Sequence, residues 1–168
     1  MLIITGTMGA GKTTVLAEAS DMLAQRQLVH AAIDLDAFGV AHLPSAARND
    51  DVMYRNLESV CKNYASVGVR RFILARAIED SSELELCRSV VGATNTVVCR
   101  LTASIETMQQ RVKTRETGVL QREYVDRVAN LNLILAQARL EDFTVTNENR
   151  TLSEVAREVL LRARWIPQ

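Results

Sequence analysis

Residues 1–16 read MLIITGTMGAGKTTVL, and this stretch decides the fold. Met1–Thr5 is a short apolar run of strand length. Three glycines follow at Gly6, Gly9 and Gly11, then Lys12, Thr13 and Thr14. From Lys12 to about Arg26, Val15, Leu16, Ala19, Met22 and Leu23 recur at helical spacing. A buried strand running through a glycine-rich turn into a helix is the expectation for the first 26 residues.

Gly6 to Thr13 satisfies G-x-x-x-x-G-K-[ST], the phosphate-binding loop. Each position has a physical task. Glycines let consecutive backbone N–H groups turn inward on a polyphosphate. The helix that starts near Gly11 aims its positive end at the same anion. Lys12 brings a mobile cation to the β- and γ-phosphates, and the Thr13 hydroxyl ligates Mg²⁺. Gly6, Thr7, Met8, Gly9, Ala10, Gly11, Lys12, Thr13 and Thr14 are therefore the expected nucleotide-binding residues.

Working outward, strand-like and helix-like patterns alternate. Val29–Ile33 reads as a second strand ending in DLD (Asp34 to Asp36), and the segment AFGVAHLPSAARND after it as a connection with partial helix. A helix is expected over about Asp51 to Ala65, and a doubly buried third strand at Phe72–Ala75. Further helix and strand patterns lie at Ser82–Val91 and NTVVCRL. Ser104 is placed to cap a helix running to about Glu116, which Thr117-Gly118 breaks. A longer helix follows over roughly Gln121–Arg139, then a fifth strand in DFTVTN. Thr151 and Glu154 form a capping box ahead of an apolar stripe through Leu152, Val155, Ala156, Val159, Leu160 and Ala163. Strands separated by helices imply a parallel sheet covered on both faces, an α/β three-layer sandwich, in one domain spanning 1–168.

Composition narrows the class. With 168 residues, 48% hydrophobic and 24% charged, the chain reads as an ordinary globular protein. Twenty basic residues balance twenty acidic ones, which offers nothing towards a nucleic-acid or membrane partner. No stretch approaches a membrane span or a secretory leader. Cys61, Cys87 and Cys99 are odd in number and lack metal-type spacing, so buried, reduced thiols and a cytoplasmic location are expected.

The chemistry beyond the loop rests on carboxylates and arginines. Motor-type ATPases need an acid at the end of an apolar strand, but RRFILARAIED ends its run at Ala75 and Arg76. GTPases need a guanine-reading N-K-x-D, which the sequence lacks. Asp34 and Asp36 fit another machine, one reaching the Mg²⁺ shell and the other facing an acceptor hydroxyl as general base. An acidic turn capping the next helix is the plainer alternative. Arg111 and Arg115 share a helix face and, with Arg122, bracket Thr117-Gly118 as a short lid over about 111–124. A solvated basic helix paired with Glu116 and Glu123 is the other reading. Arg76 suits either an acceptor or a surface ion pair with Glu79 or Asp80.

In order along the chain, GTMGAGKTT, DLD, RLTASIETMQQRVKTRE and FTVTNENRTLSEVAREVL resemble the small P-loop kinases, the group of adenylylsulfate kinase, shikimate kinase, gluconate kinase and chloramphenicol phosphotransferase. The resemblance implies a P-loop fold with a five-stranded parallel sheet in the order 2-3-1-4-5. It implies transfer of the γ-phosphate of ATP, with Mg²⁺, to a small hydroxyl-bearing acceptor. By the family pattern, Lys12, Asp36, Arg111 and Arg115 are catalytic, and Thr13 and Asp34 serve the metal. Asn147 to Arg150 form the adenine-side wall. The acceptor signatures of these kinases are missing, since RAIEDSS stands where shikimate kinases carry a glycine-rich loop. The acceptor is therefore unassigned. A nucleotide-dependent binding module and a slow ATPase remain the alternative functions.

Overall fold

A computed structural model of the chain describes residues 1–39, 41, 44 and 49–167, without the side chains of Asn49, Val119 and Leu120. The strands are β1 (Leu2–Thr5), β2 (Ala31–Asp34), β3 (Phe72–Ala75), β4 (Val97–Thr102) and β5 (Phe143–Thr146). Among the described residues the helices are α1 (Lys12–Gln25), α2 (Leu35–Phe38), α3 (Asn49–Ser66), α4 (Ser81–Val91), α5 (Ile105–Arg115), α6 (Val119–Ala138) and α7 (Leu152–Arg162).

The five strands form one sheet in the order β2-β3-β1-β4-β5, every pair parallel. Strand pleating sends alternate side chains to opposite faces, and the buried residues divide accordingly. Leu2, Ile4, Ile73, Ala75, Cys99 and Leu101 join α1, α5 and α7 in one core. Ile3, Phe72, Leu74 and Val98 join Met53, Leu57 and Cys61 of α3 and Leu84 and Cys87 of α4 in the other. Three layers result because β1 is buried at every position, with Leu2, Ile3 and Ile4 apolar on both faces. Each fully buried Leu or Ile contributes roughly 1.5–3 kcal/mol to holding these layers together.

Capping fixes where the helices begin. Ser104 accepts from Thr107 N at 3.2 Å, and Asp80 accepts from Glu83 N at 2.9 Å. Thr151 and Glu154 form the reciprocal capping box at the start of α7, with Thr151 N donating to Glu154 Oε2 at 2.8 Å.

Some boundaries differ from the sequence expectation. β2 begins at Ala31 because Val29 is 59% exposed and His30 bonds locally to the Leu28 carbonyl. It ends at Asp34, so Asp36 does not lie on a strand end: it sits in the first turn of α2, which Asp34 caps by accepting from Asp36 N at 3.1 Å. The plainer capping reading of this acidic pair is thus part of the truth. α6 starts at Val119, two residues early, which leaves the lid expected over 111–124 as the end of α5, a short turn at Gly118 and the start of α6. Within the connection expected after β2, residues 40, 42–43 and 45–48 lie outside the described residues. Among the described residues no helix is long and apolar enough to cross a membrane. Thr151→Ala removes the acceptor for Glu154 N and should cost about 1 kcal/mol in a urea unfolding titration, with an unchanged slope.

Candidate functional site

Parallel pairing brings the carboxyl ends of the strands to one rim. The register sets Ile4 beside Ala75, and Asp34 beside Ala75 from the other side. The loop leaves β1 at this rim, and α1 returns from it.

The loop's conformation is held from behind. For its N–H groups to turn inward, its carbonyls must turn outward and find donors. Arg111 Nη1 donates to the Gly9 carbonyl at 3.2 Å, and Asn147 Nδ2 donates to the Ala10 carbonyl at 2.8 Å. Arg111 Nη2 donates to the Asn147 carbonyl at 2.9 Å, so the two supports brace each other. Gly9 has φ +80°, and a Cβ there would collide with the Met108 backbone of α5. Gly11 has φ +96°, and its Cβ would strike the Asn147 amide. Glycine is needed at both positions because the neighbouring chain lies too close for any side chain.

Lys12 is 8% exposed, and among the described residues its ammonium makes a single long hydrogen bond, 3.4 Å to the Thr7 carbonyl. Burial pushes its pKa down, and the nearby Asp36 and Asp34 push back against that. A desolvated cation with so few hydrogen-bond acceptors on it has the chemistry to take up an anion. Thr13 Oγ1 donates to Asp34 Oδ2 at 2.5 Å, which sets a hydroxyl and a carboxylate side by side at the start of α1. Among the described residues no three His, Cys, Asp or Glu side chains gather as a metal cage. The Thr13–Asp34 pair fits a Mg²⁺ that takes its other ligands from phosphate and water.

In front of Lys12 opens a cavity of about 620 Å³, with Asp36, Asp50, Arg76, Arg115 and Arg127 in its walls. A larger hollow of about 770 Å³ lies around Arg71, Phe143 and Trp165, at the amino ends of the strands and away from the loop. Chemistry, not size, selects the first. Asp36 is paired with Arg76 at 3.1 Å, and Arg76 also binds Glu83 at 2.9 Å and Asp50 at 3.3 Å. Burial pulls the pKa of Arg76 down, but the hydrogen bond and ion pair with Glu83 outweigh it, and the net shift is upward.

The structure separates residues that the sequence grouped. Arg111 was expected as a mobile lid cation, but both its terminal nitrogens are spent on backbone carbonyls of the loop region. Arg115 lines the cavity and is mostly exposed, tied to Glu116 at 2.7 Å. Arg122 is exposed and absent from the cavity wall, where Tyr124, Arg127 and Leu131 stand instead. These three lie at i, i+3 and i+7, one face of α6, a spacing that could have revealed them. Arg150 turns to α7, pairing with Glu158 at 2.6 Å and donating to the Glu154 carbonyl at 3.3 Å. Met8 lines the cavity, Thr7 is buried under α6 with its hydroxyl 3.4 Å from the Val128 carbonyl, and Thr14 is exposed on α1.

Three features had not been singled out. Glu148 accepts from Ser104 N at 3.0 Å and from the hydroxyls of Ser104 and Thr107; these hydrogen bonds lower its pKa and join the 147–150 segment to α5. Asp50 and Glu83 complete the ring around Arg76. Of these, only Glu83 had a sequence signal, standing three residues after Asp80 in a capping pattern. The three cysteines are free and buried, and burial raises the thiols to about 11 for Cys61 and Cys87 and about 12 for Cys99.

No family model matches the chain, and no curated protein does. Solved structures match it over nearly its whole length. The APS kinase of Mycobacterium tuberculosis in complex with AMPPNP and APS aligns with a TM-score of 0.65 at 18% identity, covering 95% of this chain and 94% of that one. The shikimate kinase of Acinetobacter baumannii in complex with shikimate gives 0.61 at 17% identity, covering 98% and 92%. The tunicamycin resistance protein of Deinococcus radiodurans gives 0.65 at 14% identity, covering 96% and 94%. At these identities the likeness is one of fold, and the fold is that of the small P-loop kinases.

Because the folded pKa of Lys12 lies below its unfolded value, the cost of burying it is greatest at low pH and shrinks as pH climbs towards the unfolded value. Lys12→Met should therefore raise the melting temperature of the nucleotide-free protein by about 2–4 °C at pH 7, and by less at pH 10, while nucleotide binding disappears. Calorimetric melting with and without ATP reads both effects.

Proposed function

We propose that the protein is an ATP-dependent phosphotransferase that moves the γ-phosphate of ATP to a hydroxyl of a small molecule. The observation that carries this reading is the single cavity of about 620 Å³ with the buried Lys12 in one wall and Asp36 in another. A phosphate-receiving cation and an ionisable carboxylate face a space of small-molecule size. The fold shared with small P-loop kinases supports it. The 168 residues are read as one kinase unit, working in the reducing cytoplasm that three free thiols suit.

The residues divide the work. Gly6 to Thr14 and the start of α1 hold the polyphosphate through backbone N–H groups, and Lys12 takes up the charge of the transferring phosphoryl. Thr13 and the Asp34 shell would hold Mg²⁺, which when bound neutralises charge between the phosphates. Asp36 accepts the acceptor's hydroxyl proton as the acceptor oxygen bonds to phosphorus and the bond to the ADP oxygen breaks. Its pairing with Arg76 aims it. Arg115, exposed at the cavity mouth, exchanges its surface pairing with Glu116 for the leaving phosphates and excludes water. Arg111 acts through the loop, as a positioning residue.

Asp36→Asn should lower kcat by roughly 10²–10⁴-fold with little change in ATP affinity. Arg111→Met should instead weaken ATP binding by about tenfold, through the loop carbonyls it leaves without donors. ADP release measured with a panel of hydroxyl compounds tests the reading itself. Tight ATP binding without turnover would point to a binding module, and phosphate release without any acceptor to an ATPase.

A further inference from the structure

We infer that Glu83 and Tyr54 are positioning residues for Asp36, acting through Arg76: they hold its guanidinium so that one terminal nitrogen stays on the Asp36 carboxylate. This rests on the kinase reading above, in which Asp36 is the base.

A guanidinium is a rigid planar fork, so fixing one of its nitrogens fixes the direction of the other two. Arg76 follows β3, and its backbone N–H donates to the Ile4 carbonyl of β1 at 3.2 Å. Its Nε donates to Glu83 Oε1 at 2.9 Å. Nη1 then falls on Asp36 Oδ1 at 3.1 Å and Nη2 on Asp50 Oδ1 at 3.3 Å. Among the described residues Nη1 is the single donor to the Asp36 carboxylate.

Burial decides which of these contacts leads. The side chains of Glu83 and Arg76 are 16% and 21% exposed, whereas those of Asp36 and Asp50 are 51% and 60% exposed. Exposed ion pairs are screened and contribute little; a largely buried, charge-assisted hydrogen bond is stronger. Glu83 therefore holds Arg76, and Asp36 is the partner that follows.

Glu83 is fixed in turn. Tyr54 Oη donates to its Oε1 at 2.8 Å, and the Glu79 N–H to its Oε2 at 3.1 Å. Its own N–H donates to the capping Asp80 at 2.9 Å in the first turn of α4. Tyr54, on α3, is 6% exposed and belongs to the core of that face. Donors from α3, from the residue after β3 and from the turn before α4 thus meet on one carboxylate. Burying an ion pair is costly, and apolar contacts of the same volume would join α3 to α4 as well. What apolar contacts cannot do is aim the two terminal nitrogens of Arg76, and one of these ends on Asp36 in the wall of the cavity in front of Lys12.

The test is NMR of the full chain carrying ¹³C at its aspartate side-chain carboxyls, with the Asp36 signal assigned by its loss in Asp36→Asn. Glu83→Asp keeps the charge but shortens the reach, so the carboxylate no longer spans Tyr54, the Glu79 N–H and Arg76 together. Tyr54→Phe removes one hydrogen bond and no charge. Both should shift the Asp36 signal. Cys61→Ala opens the same core two turns further along α3, and should lower the melting temperature while leaving that signal in place. If Glu83→Asp does not melt cooperatively, Tyr54→Phe decides alone. An Asp36 signal unmoved in either folded variant, or moved as far by Cys61→Ala, overturns the inference. With ATP and a hydroxyl compound that is turned over, Glu83→Asp should lower kcat about tenfold while the KM for ATP stays within about twofold. A raised KM for ATP with kcat unchanged would overturn it as well. Failure of the kinase reading looks different: the Asp36 signal follows the variants and no ADP forms with any hydroxyl compound.

Discussion

A cationic side chain cannot be buried cheaply, and among the described residues Lys12 is buried with one long hydrogen bond and the nearby charges of Asp36 and Asp34. The rest of the structure makes that position tenable. The loop around it has to turn its N–H groups inward, so the outward carbonyls of Gly9 and Ala10 need donors from elsewhere. Arg111 on α5 and Asn147 after β5 supply them. Both donors come from parts of the chain more than a hundred residues away in sequence, and they reach the loop because β4 and β5 lie in succession beside β1. Asn147 is itself anchored, its N–H donating to the Thr102 carbonyl at the end of β4 at 2.8 Å. The sheet order is thus a requirement of the loop as much as of the core.

This explains which features were legible in the sequence. The loop, the parallel sheet and the two flanking layers follow from local signals: a glycine pattern, apolar strands buried on both faces and helical stripes with their caps. Ser104 and Thr151 cap the helices their spacing implied. Arg111 and Arg115 look equivalent in sequence, four residues apart on one helical face. Their separate placements depend on one turn of α5: Met108 packs its backbone against Gly9, so Arg111, three residues on, lies over the loop, while Arg115 lies beyond it at the cavity. No one-dimensional pattern contains that distance. Asp50 was equally hidden, an unremarkable acid at the head of a helix until α3 packed beside β3 and brought it to Arg76.

The pair Asp34 and Asp36 shows how a local and a tertiary role can coincide. Asp34 ends β2, caps α2 with one oxygen and accepts the Thr13 hydroxyl with the other. Capping starts the helical turn that swings Asp36 away from the strand and towards Arg76. The two carboxylates part because the chain changes from strand to helix between them, and strand alternation alone would not have sent Asp36 in that direction.

The two halves of the site come from opposite faces of the sheet. The side proposed for phosphate is built by α1, α5 and the segment joining β5 to α7, and the apolar residues of α1, α5, β5 and α7 share one core. The side proposed for the acceptor is built by α3, α4 and the end of β3, which share the other. β1 and β3 lie between these cores and contribute to both. Substitutions that reshape the ring around Arg76 therefore act on a core that the loop's supports do not touch. Under the kinase reading, the acceptor half of such a fold can change while the supports of the loop stay fixed.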